Sequence, residues 1–356
     1  MATPRGRGVS PSALLEAGEV VRLTDPKGRH HTFVLEAGGR FHSHRGSLSH
    51  DALIGLPEGS VLSTEQAVEY LVMRPLLEDY VLSMPRGAAI IYPKDATQIL
   101  QRADIHPGQT VLEAGLGSGA LSLWLHRVLG PEGTLVSVDR REDFVEIARG
   151  NVETFYRGSP PAQWDIRTGE LNDVLADQPD HSLDRIILDM LAPWECLEQS
   201  LRTLVPGGVI LCYVATVTQL SRVIEALRDT ERTTEPEASE TLNRPWHVEG
   251  LAVRPEHRMI GHTAFLCWAR TLAPGATLPV RPGKKVKPDY LAEDIEAWTP
   301  GAVGQRTETA KKIRQLQRES TARADKARRA EPTHPVEDTR SGRGSGDLGD
   351  SPAGIE

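Results

Sequence analysis

The stretch Thr110–Ala120, TVLEAGLGSGA, decides the fold of this 356-residue chain. The β-branched and apolar residues at its start predict a buried strand, and the apolar run that follows Gly119 predicts a helix. Gly115, Gly117 and Gly119 allow a tight turn with positive φ and a close approach of a ligand to the main chain. The free N–H groups at the start of the helix would face that ligand. The stretch therefore predicts a ligand-binding strand–turn–helix unit.

Acidic side chains around this turn indicate the kind of ligand. Asp139 ends a second predicted strand about 20 residues further on, where a carboxylate can bind a ribose hydroxyl. Glu113 lies within the turn, where it would repel a pyrophosphate. A cationic ligand without phosphate fits better, and S-adenosylmethionine, with its sulfonium and ammonium groups, is such a ligand. A nicotinamide-dependent dehydrogenase is the alternative, because the glycine pattern and Asp139 loosely satisfy its fingerprint.

The composition is typical of a soluble protein, with 39% hydrophobic and 25% charged residues. No apolar run is long enough to span a bilayer, and the first residues lack the apolar core of a signal peptide. We therefore expect a cytoplasmic protein without membrane contact. Three isolated cysteines and five histidines between residues 30 and 50 complete no ligand spacing, so we expect no metal.

Charge is unevenly distributed along the chain. The net charge of −8 disfavours nucleic acid as a partner, because phosphate contacts need Lys and Arg. However, Arg306–Ala330 carries nine basic residues against three acidic ones. A run of this kind is usually a solvated surface, and a role in holding RNA is the alternative. The average charge therefore does not exclude a local basic surface.

The chain divides into four parts. Short strands and turns predict a small N-terminal β domain over residues 1–62. Residues 63–104 are predicted to form a helical linker, with a helix over Ser63–Tyr80, a strand at 88–92 (AAIIY) and a second helix after Pro93. Residues 105–275 form the predicted catalytic domain. Residues 276–356 are an extension and a charged tail, predicted to be disordered apart from a polar helix at 306–330.

Strands and helices alternate regularly through the catalytic domain. Such alternation predicts a Rossmann-like, doubly wound parallel sheet covered on both faces. Two further strands, His247–Arg254 and His262–Thr271, predict a terminal antiparallel hairpin, and this α/β shape is that of class I methyltransferases by fold analogy. The five predicted parallel strands are Thr110–Ala114, Thr134–Asp139, Asp165–Thr168, Leu183–Asp189 and Val209–Ala215. The predicted helices are Gly119–Leu129, Glu142–Tyr156, Glu195–Leu204 and Gln219–Arg228.

Four carboxylates fall at successive strand ends, where ligands bind in a parallel sheet. They are Glu113, Asp139, Glu170 and Asp189. Asp189 opens a loop rich in proline and aromatic residues, DMLAPW, and the alternative is that it only caps the helix that follows. We therefore expect the four side chains to surround one ligand.

Five motifs occur in an order and spacing that resemble the tRNA (adenine-58-N1)-methyltransferase family, with its actinobacterial branch most similar. They are MPRGAAIIYPKDA (84–96), VLEAGLGSGALSL (111–123), LDMLAPWE (188–195), YVATVTQL (213–220) and GHTAFL (261–266). The resemblance covers about residues 15–275 and leaves the tail outside. It implies methyl transfer from S-adenosylmethionine to N1 of adenine 58 in the T-loop of tRNA, by a homotetramer.

The resemblance also implies roles for individual residues. Asp189 would be the active-site aspartate, and Tyr92 would lie over the target base, its alternative being a core tyrosine. Glu170 stands where the family often has Asp, and Asp139 where Glu is frequent. Gln219 and His262 match recurrent positions whose roles stay open. The residues implied to surround the cofactor are Glu113, Gly115, Gly117, Ser118, Gly119, Ala120, Leu121, Asp139, Phe144, Glu170 and Asp189.

The chemistry of adenine suggests what Asp189 does. The lone pair of N1 can attack a sulfonium methyl directly, and positive charge then spreads to the exocyclic N6. A carboxylate aimed at N6 accepts a hydrogen bond that strengthens in the transition state. A tRNA-binding subunit that keeps the fold without activity is a further alternative. The glycines of the turn, Asp139 and Asp189 are all present, which favours an enzyme.

Overall fold

The computed structural model describes residues 14–279, 291 and 309–329. Its N-terminal part is a four-stranded antiparallel sheet, with strand order β2-β1-β6-β5, beside a separate hairpin of β3 and β4. Leu15, Val21, Leu53 and Tyr70 are among the side chains that fill its core. The strands are β1 (Val20–Thr24), β2 (His30–Val34), β3 (Arg40–Ser43), β4 (Gly46–Ser49), β5 (Val61–Ser63) and β6 (Glu69–Met73).

The predicted helix over Ser63–Tyr80 is wrong. Strand β6 occupies its middle, and helix α1 (Leu77–Ser83) begins only after the proline at position 75. The reason is visible in the burial of β6, where Tyr70 and Val72 point into the core and their neighbours are more exposed. This period of two is that of a strand. The N-terminal sheet therefore extends beyond residue 62.

The predicted strand at residues 88–92 is also wrong. These residues pair with no strand that the structure describes, and they run directly into helix α2 (Pro93–Arg102). Ile90 and Ile91 are buried, which explains the strand-like signal. The helix after Pro93 is confirmed, with the proline at its first position.

A seven-stranded sheet forms the second part of the molecule, with strand order β12-β15-β11-β10-β7-β8-β9. The five strands from β11 to β9 are parallel, β15 pairs antiparallel with β11, and β12 pairs antiparallel with β15, so the predicted doubly wound α/β fold is confirmed. Alternate residues of β7 and β10 pack on opposite faces, so both faces are covered. The strands are β7 (Thr110–Ala114), β8 (Thr134–Asp139), β9 (Gln163–Thr168), β10 (Leu183–Asp189), β11 (Leu204–Val214), β12 (Glu237–Ser239) and β15 (Phe265–Arg270).

Helices cover both faces of this sheet, and those predicted between the strands are confirmed. The helix predicted at Glu195–Leu204 is split into a 3₁₀ turn at Pro193–Cys196 followed by α6, and α5 was not predicted. None of the described helices is both long and apolar enough to cross a membrane. The helices are α3 (Ala120–Leu129), α4 (Glu142–Tyr156), α5 (Leu171–Ala176), α6 (Leu197–Thr203) and α7 (Val217–Asp229).

The terminal antiparallel hairpin differs from the prediction. β13 (Trp246–Glu249) pairs only with β14 (Ala252–Pro255), in a hairpin separate from the large sheet. The antiparallel edge is made instead by β15 and the short β12. Trp246, Val248 and Val253 are largely exposed, so the apolar side chains of this hairpin do not pack against the large sheet.

The polar helix predicted at 306–330 is confirmed as α8 (Ala310–Arg329). The helix packs along α4 and buries one face: Ile313, Leu316, Ser320, Ala324 and Ala327. Their spacing of three and four residues gives one continuous stripe. The other tail residues of the prediction, at 280–290, 292–308 and 330–356, lie outside the described residues.

Candidate active site

The glycine turn after β7 is shaped by close backbone contacts. Gly115 has a φ of +90°, and a Cβ atom there would lie 1.9 Å from the carbonyl oxygen of Asp189. Gly119 has a φ of +78°, and its Cβ would lie 3.2 Å from Cα of Ala148 on α4. Glycine is therefore required at both positions, because the end of β10 and the side of α4 occupy the space of a side chain.

The start of α3 presents hydrogen-bond donors at this turn. Gly119 is the N-cap, so the N–H groups of Ala120 and Leu121 have no acceptor within the helix. Ser118 is 2% exposed, and its Oγ has no hydrogen-bond partner among the described residues. Buried polar groups normally have a partner, so an unpaired hydroxyl here indicates a place where a ligand binds.

Glu113 lies beneath the turn, buried among serines. Its Oε1 accepts hydrogen bonds from Ser122 Oγ and from Ser137 Oγ, the latter at 2.7 Å. Burial raises the pKa of Glu113 to about 7, although these two hydrogen bonds act in the opposite direction. The side chain therefore supports the turn from below.

Asp139 and Asp189 stand above it at two strand ends. The Asp139 carboxylate accepts the N–H of Gly117 at 2.9 Å and that of Arg141 at 3.1 Å. Burial, followed by the charges of Glu113 and Asp139, raises the pKa of Asp189 to about 7. No described residue donates a hydrogen bond to the Asp189 carboxylate. Three carboxylates thus create a negative field that favours a cationic ligand.

Asp189 does not cap the helix that follows it. The 3₁₀ turn after the strand has Ala192 as its N-cap and α6 has Cys196, and neither is capped by a side chain. The capping alternative is therefore wrong. The Asp189 carboxylate is left available for a ligand.

Gln219 holds the loop that Asp189 opens, which gives this recurrent residue a role. Its Nε2 donates to the carbonyl of Leu191 at 2.9 Å, while its Oε1 accepts the N–H of Thr216 at 3.1 Å. Thr216 Oγ1 in turn accepts the N–H of Gln219, which completes a capping box at the start of α7. The loop after β10 is thereby fixed to the end of β11.

Tyr92 lies at the first turn of α2, partly buried, next to a polar network that the sequence analysis missed. Lys94 Nζ contacts Asp95 Oδ1 at 2.7 Å and Thr263 Oγ1 at 2.6 Å. Thr263 Oγ1 also donates to Asp95 Oδ2 at 2.6 Å, and Tyr213 Oη donates to the same oxygen at 3.4 Å. Burial and the charges of Asp95 and Asp189 raise the pKa of Tyr213. The network joins three sequence motifs and places the start of α2 beside the end of β11, where Tyr213 is the register partner of Asp189 on β10.

Asn151 was also missed, since nothing around it in the sequence distinguishes it from other helical residues. It is buried on α4, and its Nδ2 donates to the carbonyls of Pro85 at 2.8 Å and Ser118 at 2.9 Å. It therefore ties the MPRG segment to the glycine turn. Only the three-dimensional contact reveals this function.

The remaining predicted residues occupy different surroundings. Glu170 is exposed at the N-cap of α5, and its Oε1 lies 3.7 Å from Nη1 of Arg140. Phe144 is buried in the first turn of α4, with the guanidinium of Arg141 3.6 Å from its ring centre. His262 contacts Glu240 at 2.7 Å and the carbonyl of Ala215 at 2.8 Å, and these contacts raise its pKa.

Metal chemistry has no candidate centre in the part of the chain that the structure describes. No three His, Cys, Asp or Glu side chains there are grouped so that they could hold an ion. The site is built from glycines, a helix start and carboxylates, which bind an organic ligand.

The five parallel strands with an antiparallel edge, and the glycine turn facing a carboxylate at the end of the neighbouring strand, define a class I methyltransferase. Solved structures agree with this class. A SAM-dependent O-methyltransferase from Thermotoga maritima matches with a TM-score of 0.66 and 25% identity, covering 73% of this chain and 95% of its own. The tRNA (m1A58) methyltransferase TrmI from Aquifex aeolicus matches with a TM-score of 0.63 and 26% identity, covering 73% and 100%.

Sequence comparison identifies the family. Residues 14–62 match the TrmI-like N-terminal model, and residues 69–254 match the model described as the tRNA methyltransferase complex GCD14 subunit. The tRNA (adenine(58)-N(1))-methyltransferase TrmI of Thermus thermophilus is 35% identical over 244 residues, which are 68% of this chain and 93% of that protein. The chain belongs to the tRNA (adenine-58-N1)-methyltransferase family, and the dehydrogenase alternative is wrong.

Proposed function

We propose that this protein transfers a methyl group from S-adenosylmethionine to N1 of adenine 58 in the T-loop of tRNA. Its relatives in Thermus thermophilus and Aquifex aeolicus are named for that reaction, and one in Methanocaldococcus jannaschii for adenines 57 and 58. The observation that carries the proposal is the Asp189 carboxylate, which ends β10 against the glycine turn and accepts no hydrogen bond from a described residue.

The residues around the turn fit S-adenosylmethionine. The unpaired Ser118 hydroxyl and the free N–H groups at the start of α3 can receive the carboxylate of its methionine part. The Asp139 carboxylate accepts a hydrogen bond from the N–H of Gly117, and at the same strand end it can instead accept hydrogen bonds from ribose hydroxyls. The charges of Glu113, Asp139 and Asp189 favour a ligand with sulfonium and ammonium groups.

The residues implied by the family to surround the cofactor divide into two groups. Gly115, Gly117 and Gly119 act by leaving room for close contact, and Glu113 acts by supporting the turn. We propose that Ser118, Ala120, Leu121 and Asp139 touch the ligand directly. Phe144 and Glu170 lie at the same edge of the sheet and would border its nucleoside part.

When bound, S-adenosylmethionine supplies a methyl group on a sulfonium, which adenine N1 attacks without a covalent enzyme intermediate. Asp189 then has one main task. Its carboxylate accepts a hydrogen bond from N6–H, and this bond strengthens as positive charge spreads from N1 to N6. Because burial and neighbouring carboxylates destabilise the Asp189 anion, a developing cation is the partner it favours. The carboxylate can take up the N6 proton afterwards.

Tyr92 is proposed to receive the base. In folded tRNA the target adenine is stacked, so it must be extruded into a pocket where an aromatic ring can stack on it. Tyr92 is the N-cap residue of α2, and the Lys94–Asp95–Thr263 network fixes that helix start. The backbone position of Tyr92 is thus fixed by residues that are not themselves proposed to contact the base.

The test of this function is mass spectrometry of nucleosides from unmodified tRNA incubated with the protein and labelled S-adenosylmethionine. We expect labelled 1-methyladenosine at position 58, and none in a transcript with guanosine at that position. Label in another nucleoside, or none, would contradict the proposal. The homotetramer implied by the family is a separate proposal. Size-exclusion chromatography with light-scattering detection tests it directly.

A further inference from the structure

Helix α8 lies outside the residues that the two family models match, yet it is packed against the catalytic domain. It carries eight Lys or Arg residues and two acidic residues, in a chain whose net charge is −8. A concentration of positive charge on one ordered element of an acidic protein indicates a binding surface for an anion.

The packing of α8 on α4 is close and specific. A Cβ on Gly150 would lie 2.1 Å from Oγ of Ser320, so the two helices meet at a glycine. Ser320 Oγ donates to the carbonyl of Ile147 at 2.9 Å. Gln317 contacts Glu146 and, further along, Arg328 contacts Glu153, which shows that α8 runs parallel to α4. Its position is therefore fixed.

The first turns of α8 reach the edge of the sheet that carries the site. A Cβ on Gly87 would lie 3.0 Å from Cδ1 of Ile313 and 3.2 Å from Cδ1 of Leu316. Gly87 belongs to the MPRG segment, which Asn151 ties to the glycine turn and which leads to Tyr92. The start of α8 thus borders the segment proposed to receive the base, and its end lies by β2, where Lys326 contacts Glu36.

Six of the eight cations of α8 form two groups of three. Arg323, Lys326 and Arg328 form ion pairs with Glu319, Glu36 and Glu153. Lys311, Arg314 and Arg318, nearer the active-site end, are exposed and pair with no acidic side chain that the structure describes. Among the described residues, the Arg314 side chain donates only to the carbonyl of Ala310.

Their spacing, i, i+3 and i+7, places these three side chains on one face. That face is opposite the buried stripe that contains Ile313 and Ser320. Exposed Arg86, next to Gly87 in the MPRG segment, adds a further cation near the start of α8. The result is a basic face beside an acidic site.

We propose that the outer face of α8, formed by Lys311, Arg314 and Arg318, binds the phosphate backbone of the tRNA substrate. The proposal rests on the proposed function and adds a second contact region to it. Lys and Arg side chains neutralise phosphates and release counterions, so such binding is independent of sequence and weakens with salt. The acidic site itself repels RNA, and a basic face beside it offsets that repulsion while the base enters.

The experiment compares two triple variants of the full-length protein that remove the same charge from the same helix. The test variant is K311Q/R314Q/R318Q, and the matched control is R323Q/K326Q/R328Q. For each, the Kd for unmodified tRNA is measured by filter binding at several salt concentrations with S-adenosylhomocysteine present, and the KM for tRNA is measured in the methylation assay.

We expect the test variant to raise both Kd and KM for tRNA at least tenfold at moderate salt. The logarithm of the tRNA association constant falls linearly with the logarithm of the salt concentration, and each lost phosphate contact makes this slope shallower by about one. The magnitude of the slope should therefore decrease by about 2 to 3. The control should stay within about threefold of wild type, and S-adenosylmethionine affinity should be unchanged in both variants.

Wild-type tRNA affinity and salt slope in the test variant, with methylation intact, would overturn the inference and leave the proposed function standing. Equal losses in both variants would also overturn it, because they assign the effect to net charge or to helix packing. Failure of the proposed function is distinguishable, since wild-type protein would then methylate no tRNA.

Discussion

Gly115 leaves the space that the backbone of Asp189 occupies: a Cβ at position 115 would lie 1.9 Å from the Asp189 carbonyl oxygen. The glycine turn therefore packs against the backbone of the residue that carries the proposed catalytic carboxylate. A side chain at position 115 must displace the end of β10. We therefore expect a change at position 115 to affect both the proposed cofactor site and the position of Asp189.

Gly115→Ala tests this contact. The overlap with a backbone atom, together with a φ of +90°, should lower the free energy of unfolding by about 2 kcal/mol or more and weaken S-adenosylmethionine binding at least tenfold. Gly130→Ala is the control, because φ there is +63°, its Cβ would have no neighbour within 4 Å, and the change should cost only about 1 kcal/mol of backbone strain. Thermal melting and calorimetric titration measure both effects, and equal losses in the two variants would refute the account.

The pH dependence of the reaction should follow Asp189. Its carboxylate has a pKa raised to about 7 and is needed as the anion, so kcat/KM should rise with pH through about 7 and then level off. The direction follows because the protonated form, present at lower pH, has no negative charge to offer N6. A steady-state profile from about pH 5.5 to about pH 8.5 checks this, and a flat profile would contradict it.

Lys94 and Asp95 are expected to act as a pair. Lys94→Met leaves the buried Asp95 without its cation and should cost about 3 kcal/mol of unfolding free energy, the order seen when one partner of a buried pair is removed. Adding Asp95→Asn removes the unpaired charge, so the double variant should recover part of that loss. Denaturant unfolding of the single and double variants measures the coupling, and additive losses would show that the two residues are independent.

Tyr92 should affect the base more than the cofactor. Tyr92→Ala removes the ring proposed to stack on adenine and should reduce kcat/KM for tRNA at least tenfold, while S-adenosylmethionine affinity changes little. Tyr92→Phe keeps the ring and should retain most activity. If Tyr92→Ala weakens cofactor binding as much as methylation, the residue is a packing tyrosine instead.

Much of the catalytic domain could be predicted from the sequence because its patterns are local. Strands Thr134–Asp139 and Leu183–Asp189 and helix Glu142–Tyr156 have the predicted bounds, since each is apolar at the correct period and ends at a polar or glycine-rich segment. The strand ends then locate the carboxylates. The glycine turn could be predicted for the same reason.

Other features depend on contacts between distant residues and carry no local signal. Glu69–Met73 is a strand because it pairs with β1 and β5 of the N-terminal sheet, although the sequence around it has the pattern of a helix. Helix α8 is held by alanine and serine side chains as well as Ile313 and Leu316, so its stripe was too weakly apolar to predict packing. Asn151 and the Lys94–Asp95 pair gain their roles only from partners far along the chain.

The most direct test of the account is the single-turnover methylation rate of Asp189→Asn, measured with saturating tRNA and S-adenosylmethionine. The substitution keeps the shape of the side chain and removes its charge, so the rate should fall about a hundredfold or more, as when one preorganised electrostatic contact is lost. The Kd values for both substrates should stay within a fewfold of wild type. A variant that binds both and methylates at the wild-type rate would contradict the account.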